Sequence, residues 1–192
     1  DLVAVGKRAQ RPSPKQQAVS RLLLDFAQTG GHIVRLKSGD GGVFGRLEEE
    51  LVALRSANIA YEIIPGVSSA CAAAAAAGIP LTRRLTARRI QFITGHDNNG
   101  QLPEDINLSA LADPGATTIV FMGKRTFSQL QKQLEQHGLP PNTPALLAEA
   151  VSTPQQTLTR TTIRALAEQL EGDISTSPAL ILYGPLAEGA GG

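Results

Sequence analysis

Apolar residues in this chain fall into short runs separated by stretches with helical spacing. Residues 2–5, Leu-Val-Ala-Val, read as a buried strand. Ser13 is placed to cap a helix whose first position is Pro14, where a missing N–H does no harm. Val19, Leu22, Leu23 and Phe26 share one face of that helix, and Gly30 ends it. A strand is predicted at 32–36, then a loop at 37–42. Leu47, Leu51 and Leu54 stripe a second helix, and 61–64 reads as a third strand. Pro65-Gly66 makes a turn, Ser68 or Ser69 opens an Ala-rich helix, and Gly78 closes it. That helix reads as bland core packing or as a smooth surface for a tight interface.

Residues 79–89, with Pro80 and several arginines, read as a crossing between two domains, 1–83 and 84–192. The second half predicts strands at 90–94, 117–122, 145–148, 156–160 and 179–183. Its helices fall at 126–136 and 162–170, and 96–105 is loop-like. Strand–helix alternation in the first half predicts an α/β domain with a parallel sheet; adjacent strands in the second predict a mixed sheet.

Composition narrows the function classes. Among 192 residues, 42% are hydrophobic but only 4% aromatic, with no Trp, so the core must be aliphatic. A formal net charge of +1 provides no global field for nucleic acid, so any anion must be met by a local cluster. One cysteine, Cys71, excludes an intrachain disulfide and fits a reducing cytoplasm; within the Ala-rich helix it reads as a small core residue. No run of about 18 apolar residues is present to span a membrane. The chain begins at Asp1, directly before a strand, so the natural N-terminus is expected upstream.

Three strand ends carry the candidate chemistry. Lys37-Ser38-Gly39-Asp40 follows a strand at its carboxyl end, where ligands sit in open α/β sheets. Small residues admit a ligand to the backbone, and Asp40 can accept from hydroxyls or an ammonium; a plain turn accounts for the stretch equally well. Ile64-Pro65-Gly66-Val67-Ser68-Ser69 offers N–H groups and two hydroxyls, or simply a helix cap. Met122, the only Met, ends a third strand and reads first as core filler. Arg35, Arg46, Arg83, Arg84, Arg88 and Arg89, with Lys7 and Arg8, are each a solvated charge singly; gathered at a crevice they would suit a polycarboxylate. His32, His96 and His137 lack metal-ligand spacing, so no metal site is expected.

Taken in order, these segments resemble the uroporphyrinogen-III C-methyltransferase family of tetrapyrrole methylases. Val5-Gly6-Lys7-Arg8 matches its Val-Gly-Lys-Arg strand end. Residues 34–40 followed by Phe44-Gly45-Arg46 resemble its Val-Arg-Leu-Lys-Gly-Gly-Asp-Pro and Phe-Gly-Arg, and Glu49-Glu50 its Glu-Glu. Residues 64–70, 78–84 and Thr94-Gly95-His96 are similar to its Val-Pro-Gly-Ile-Thr-Ser-Ala, Gly-Ile-Pro-Leu-Thr-His-Arg and Thr-Gly-His. Met122-Gly123 and residues 177–180 match a Met-Gly and a late Ser-Pro-Ala-Leu. The departures are Ser38 for Gly, Gly41 for Pro, Arg83 for His, and Val151 where some members have Gly. The family opens with a Gly-Pro-Gly-Asp-Pro segment, which this chain lacks.

The resemblance implies a two-domain tetrapyrrole-methylase fold, a homodimer, and S-adenosylmethionine (SAM) between the domains, leaving as S-adenosylhomocysteine (SAH). It implies SAM contacts at Ser38, Gly39, Asp40, Val43, Ser68, Ser69, Met122 and Val151. It further implies that Lys7 lies near the reacting centre and that Arg46, Glu49 and Arg84 face the tetrapyrrole. The implied reaction methylates uroporphyrinogen III at two ring carbons to give precorrin-2, on the way to sirohaem and cobalamin. Other readings are a methylase of this fold acting on a later corrin intermediate or on RNA, and a non-catalytic remnant of the fold.

Overall fold

A computed structural model describes residues 2–5, 16–172 and 175–186. The chain forms two compact units, Asp1–Ser68 and Ser69–Gly192. The second unit thus takes in the Ala-rich helix, which the sequence reading places in 1–83, and the whole of the crossing, which that reading splits at 83/84.

The first unit contains helices α1 (Gln16–Ala27) and α2 (Leu47–Ser56), packed against each other. In α1 the predicted face points inward with Val19 buried, Leu22 and Leu23 half-buried, and Phe26 more exposed. Ser13 and Pro14 lie outside the described residues. In α2, Glu48, Glu49 and Glu50 occupy the first turn and Arg55 the last, each sign set against the favourable end of the helix dipole. The parallel sheet expected here is not observed among the described residues. Residues 2–5, 32–37 and 61–68 carry no strand assignment. A strand exists only through a ladder with a neighbour, because its N–H and C=O groups point sideways. Alternating apolar residues that would have lined a buried face are open instead, with Val34 66%, Leu36 74% and Ile64 74% exposed.

The second unit follows the predicted pattern closely. Its elements are α3 (Ser69–Ala76), β1 (Arg89–Thr94), α4 (Leu108–Leu111), β2 (Ala116–Phe121), α5 (Phe127–Gln136), β3 (Pro144–Glu149), β4 (Thr157–Thr162), α6 (Ile163–Glu171) and β5 (Ala179–Tyr183). They build a mixed five-stranded sheet in the order β1-β2-β5-β3-β4, in which only β1 and β2 are parallel neighbours. The short α4 lies in the stretch expected to be irregular; Asn107 caps it by accepting from the Ala110 amide.

Helices α5 and α6 bury Phe127, Leu130, Leu134 and Ile163, Leu166, Leu170 against one face of the sheet. The spacing of three and four residues puts each set on a single stripe. Alternate strand residues Val120, Leu147, Ile181 and Tyr183 meet them, and the Tyr183 hydroxyl donates to the Leu111 carbonyl at 3.0 Å. Burial raises the Tyr183 pKa. On α3, which lies against β5, Ala70, Ala73 and Ala74 are buried. Cys71 is exposed, which corrects its reading as a core residue. It stands one position past Ala70, about 100° around the helix, and so leaves the packed stripe.

Candidate functional site

In the first unit the loop after residue 37 is held by carboxylates. Glu50 is only 2% exposed although charged. It accepts from Lys37 Nζ at 2.7 Å, Arg35 Nε at 3.2 Å and Gln16 Nε2 at 3.2 Å. Burial pushes its pKa up, but Lys37, Gln16 and Arg35 outweigh that and leave it below the ordinary value. The root of the loop is thereby fixed to α2. Beyond it, Asp40 Oδ1 accepts from the Gly42 amide at 2.8 Å and Oδ2 from the Gly66 amide at 2.9 Å. The Val43 amide donates to the Asp40 carbonyl at 3.3 Å. Gly66 comes so close that a Cβ there would lie 2.1 Å from the Gly39 carbonyl oxygen. Only glycine permits that approach. Ser38, Gly39, Asp40 and Val43 are thus gathered with the turn that leads to Ser68.

Phe44 and Arg46 both have positive φ, 51° and 56°. The intervening Gly45 has no room for a Cβ, which would lie 2.5 Å from the Gly41 carbonyl oxygen. This folds the Phe-Gly-Arg segment tightly back before α2. Arg46 then meets Glu49 through Nε at 2.6 Å and Nη2 at 2.8 Å, and this pairing draws the Glu49 carboxyl below its ordinary pKa.

In the second unit, β1, β2 and β3 run in the same direction, so their carboxyl ends emerge at one edge of the sheet. There Gly95 and Gly123 touch backbone to backbone: a Cβ on Gly95 would sit 2.4 Å from the Gly123 Cα. Lys124 Nζ donates to Glu149 Oε1 at 2.7 Å, tying the loop after β2 to the end of β3. Met122, Ala150 and Ser152 all have positive φ, at 54°, 46° and 66°. Such backbone costs energy for residues with a Cβ and collects at ligand sites. Met122 is 45% exposed, contrary to its reading as core filler. Its turn carries the side chain out of the row that buries Val120 and Phe121. Val151 lies between the two strained residues, half-buried.

The arginines are mostly engaged elsewhere. Arg35 and Arg46 bind Glu50 and Glu49; Arg83 donates to the Pro185 carbonyl, Arg88 to the Arg84 carbonyl, and Arg89 pairs with Asp113. Arg84 is exposed, and its guanidinium makes no hydrogen bond or ion pair among the described residues. Lys7 and Arg8 lie outside those residues. Sequence reasoning missed Glu50 as the anchor of Arg35 and Lys37, and missed the Asp40–Gly66 bond. The visible signals for Glu50 were the Glu-Glu match and its place on the same α2 face as Leu54, one turn on. Among the described residues no group of three or more His, Cys, Asp or Glu could hold a metal.

Comparison with known proteins gives the family to which the chain belongs. The sequence profile of the family described as Tetrapyrrole (Corrin/Porphyrin) Methylases matches residues 3–167. The chain belongs to the tetrapyrrole methylases. It is 42% identical over 182 residues to siroheme synthase 1 of Aeromonas hydrophila, covering 95% of this chain and 38% of that protein. It is 39% identical over 187 residues to an Arabidopsis thaliana S-adenosyl-L-methionine-dependent uroporphyrinogen III methyltransferase, covering 97% of this chain and 51% of that one. The chain therefore spans about two-fifths to half the length of these relatives. Among solved structures, the Thermus thermophilus uroporphyrin-III C-methyl transferase complexed with S-adenyl homocysteine matches with a TM-score of 0.76 and 33% identity, over 90% of this chain and 74% of that one. A cobalt precorrin-4 methyltransferase matches with a TM-score of 0.78 and 27% identity, over 92% and 72%.

Proposed function

We propose that this methylase transfers methyl groups from SAM to ring carbons of uroporphyrinogen III, giving precorrin-2 and SAH. The observation that carries the reading is 39% identity across 97% of the chain to a relative named for SAM-dependent methylation of uroporphyrinogen III. Bound SAM supplies an electrophilic sulfonium methyl. The chain's residues must hold that donor, orient the acceptor carbon and exclude water.

Ser38, Gly39, Asp40, Val43, Ser68, Ser69, Met122 and Val151 are the proposed donor contacts. The features of the chain that fit such a donor are small residues with backbone close enough to exclude side chains, and an exposed Met122 on strained backbone. Arg46, Glu49 and Arg84 are proposed to face the tetrapyrrole. Arg84, exposed and with no hydrogen bond or ion pair to its guanidinium among the described residues, suits a substrate carboxylate better than Arg46, which already has Glu49. Lys7 is proposed near the reacting centre on the resemblance alone. The reading extends to a homodimer in the cytoplasm; its support is the resemblance, a single cysteine, and the lack of any described helix long and apolar enough to cross a membrane.

The test is anaerobic incubation of the protein with uroporphyrinogen III and methyl-labelled SAM. Mass spectrometry should find two added methyls per tetrapyrrole. Methylation of a later corrin intermediate instead would favour the second reading, to which the precorrin-4 methyltransferase match gives weight. SAH binding with no methyl transfer to either would point to a remnant of the fold.

A further inference from the structure

The first unit holds a carboxylate bridge that the donor reading leaves unused. Asp40 lies 26 residues before Gly66, yet each of its carboxylate oxygens takes one backbone amide, Gly42 near at hand and Gly66 far along the chain. A turn capped by its own Asp side chain needs only the near bond. The far bond joins two separate loops. At the join the backbones are already in contact, since any Cβ on Gly66 would strike the Gly39 carbonyl oxygen. The other end of Ser38-Gly39 is fixed independently, because Glu50 grips Arg35 and Lys37. Ser38 and Gly39 are therefore held on both sides, by Glu50 before them and by Asp40 after them. Ser68 begins two residues past Gly66 and inherits its position from the same bond.

We propose that Asp40 is a positioning residue: its carboxylate acts on the donor site by fixing the Gly66 turn against the 38–42 loop, not by bonding to the donor. The inference rests on the reading that this loop holds SAM. It assigns the carboxylate a role distinct from that of the backbone around it, which stays available for contact. The two amides favour the ionised form and hold the Asp40 pKa below its ordinary value, so the bridge is charged at neutral pH. Amide-to-carboxylate bonds of this kind are stronger than neutral ones, so one residue on an open loop can set the geometry of another.

The experiment compares wild type with Asp40→Asn in the full chain. Asn keeps one acceptor oxygen but turns an NH2 toward the other amide. Two quantities are read: hydrogen exchange of the Gly66 amide by NMR without ligand, and SAH affinity by calorimetry. Exchange at Leu54, in α2 of the first unit, and at Ile119, in the sheet of the second, checks that both units of the variant are folded. Gly66 should exchange about tenfold faster or more in the variant, and SAH should bind about tenfold more weakly, or about 1.4 kcal/mol. Weaker SAH binding with unchanged Gly66 exchange would overturn the proposal, since Asp40 would then contact the donor directly. Faster Gly66 exchange with unchanged SAH affinity would overturn it as well, because the bridge would not serve the donor site. If wild type binds no SAH at all, the donor reading falls. In that case faster Gly66 exchange in the variant still upholds the bridge, and unchanged exchange removes it.

Discussion

The two units solve the same problem with different forces. In Ser69–Gly192 the sheet is sandwiched: every residue of β2 is buried, and α5 and α6 press apolar stripes onto a core that includes Phe127, Leu166 and Tyr183. Among the described residues of Asp1–Ser68 few apolar side chains are hidden. Val34, Leu36 and Ile64 face outward, while the buried organising group is a charged one, Glu50. Its partners come from α1 and from the extended stretch 35–37. Hydrophobic burial is non-directional and tolerates many sequences, whereas ion pairs and amide bonds fix particular atoms. The first unit thus places loops by specific contacts, and the second provides a stiff sheet edge.

The comparison can be broken most sharply in the apolar core. Leu166→Ala should cost about 2–5 kcal/mol in denaturant unfolding, by lost burial plus a cavity. Leu36→Ala, a change of the same chemistry in the first unit, should alter stability by about 0.5 kcal/mol or less. Equal effects would mean that the two units do not differ in what holds them.

A smaller effect is expected at Glu50. Glu50→Gln removes the charge facing Lys37 and Arg35, which are themselves partly open to water, so a loss of about 1–3 kcal/mol is expected. Its pH dependence is the sharper readout. Because the folded pKa lies below the ordinary 4.5, the contribution of Glu50 is full above that value and is lost as pH falls through the folded pKa. Acid titration of the wild type should therefore show a loss that Glu50→Gln lacks. Superimposable acid limbs would remove Glu50 as the anchor.

The smallest effect belongs to the exposed pair of Arg46 and Glu49. Arg46→Ala should change stability by about 1 kcal/mol or less, and raised salt should reduce the difference. A markedly larger loss would assign Arg46 a structural role and take it off the substrate side.

Much of the second unit was legible because its signals are local. Leu130 and Leu134, or Leu166 and Leu170, sit four residues apart wherever the chain goes, and strands such as 179–183 are continuous apolar runs. The Arg46–Glu49 contact is local in the same sense, a pair three residues apart at the start of α2. The first unit misled because 32–36 and 61–64 have the composition of strands but find no ladder among the described residues. Met122 and Cys71 misled for a related reason: residue type favours burial, but a positive φ in one case and one step around a helix in the other turned them outward.

The amino-acid sequence by itself determined the family, the order of the strand-end loops and the helical stripes, since these depend on residue identity and near-neighbour spacing. Only the tertiary structure decided that Asp40 would reach Gly66, that Glu50 would be buried between Arg35 and Lys37, and that β1, β2 and β3 would open at one edge. Those facts depend on distances between atoms far apart in the chain. A carboxylate is compatible with many partners, and the folded backbone selects which amide or cation stands within 3 Å of it.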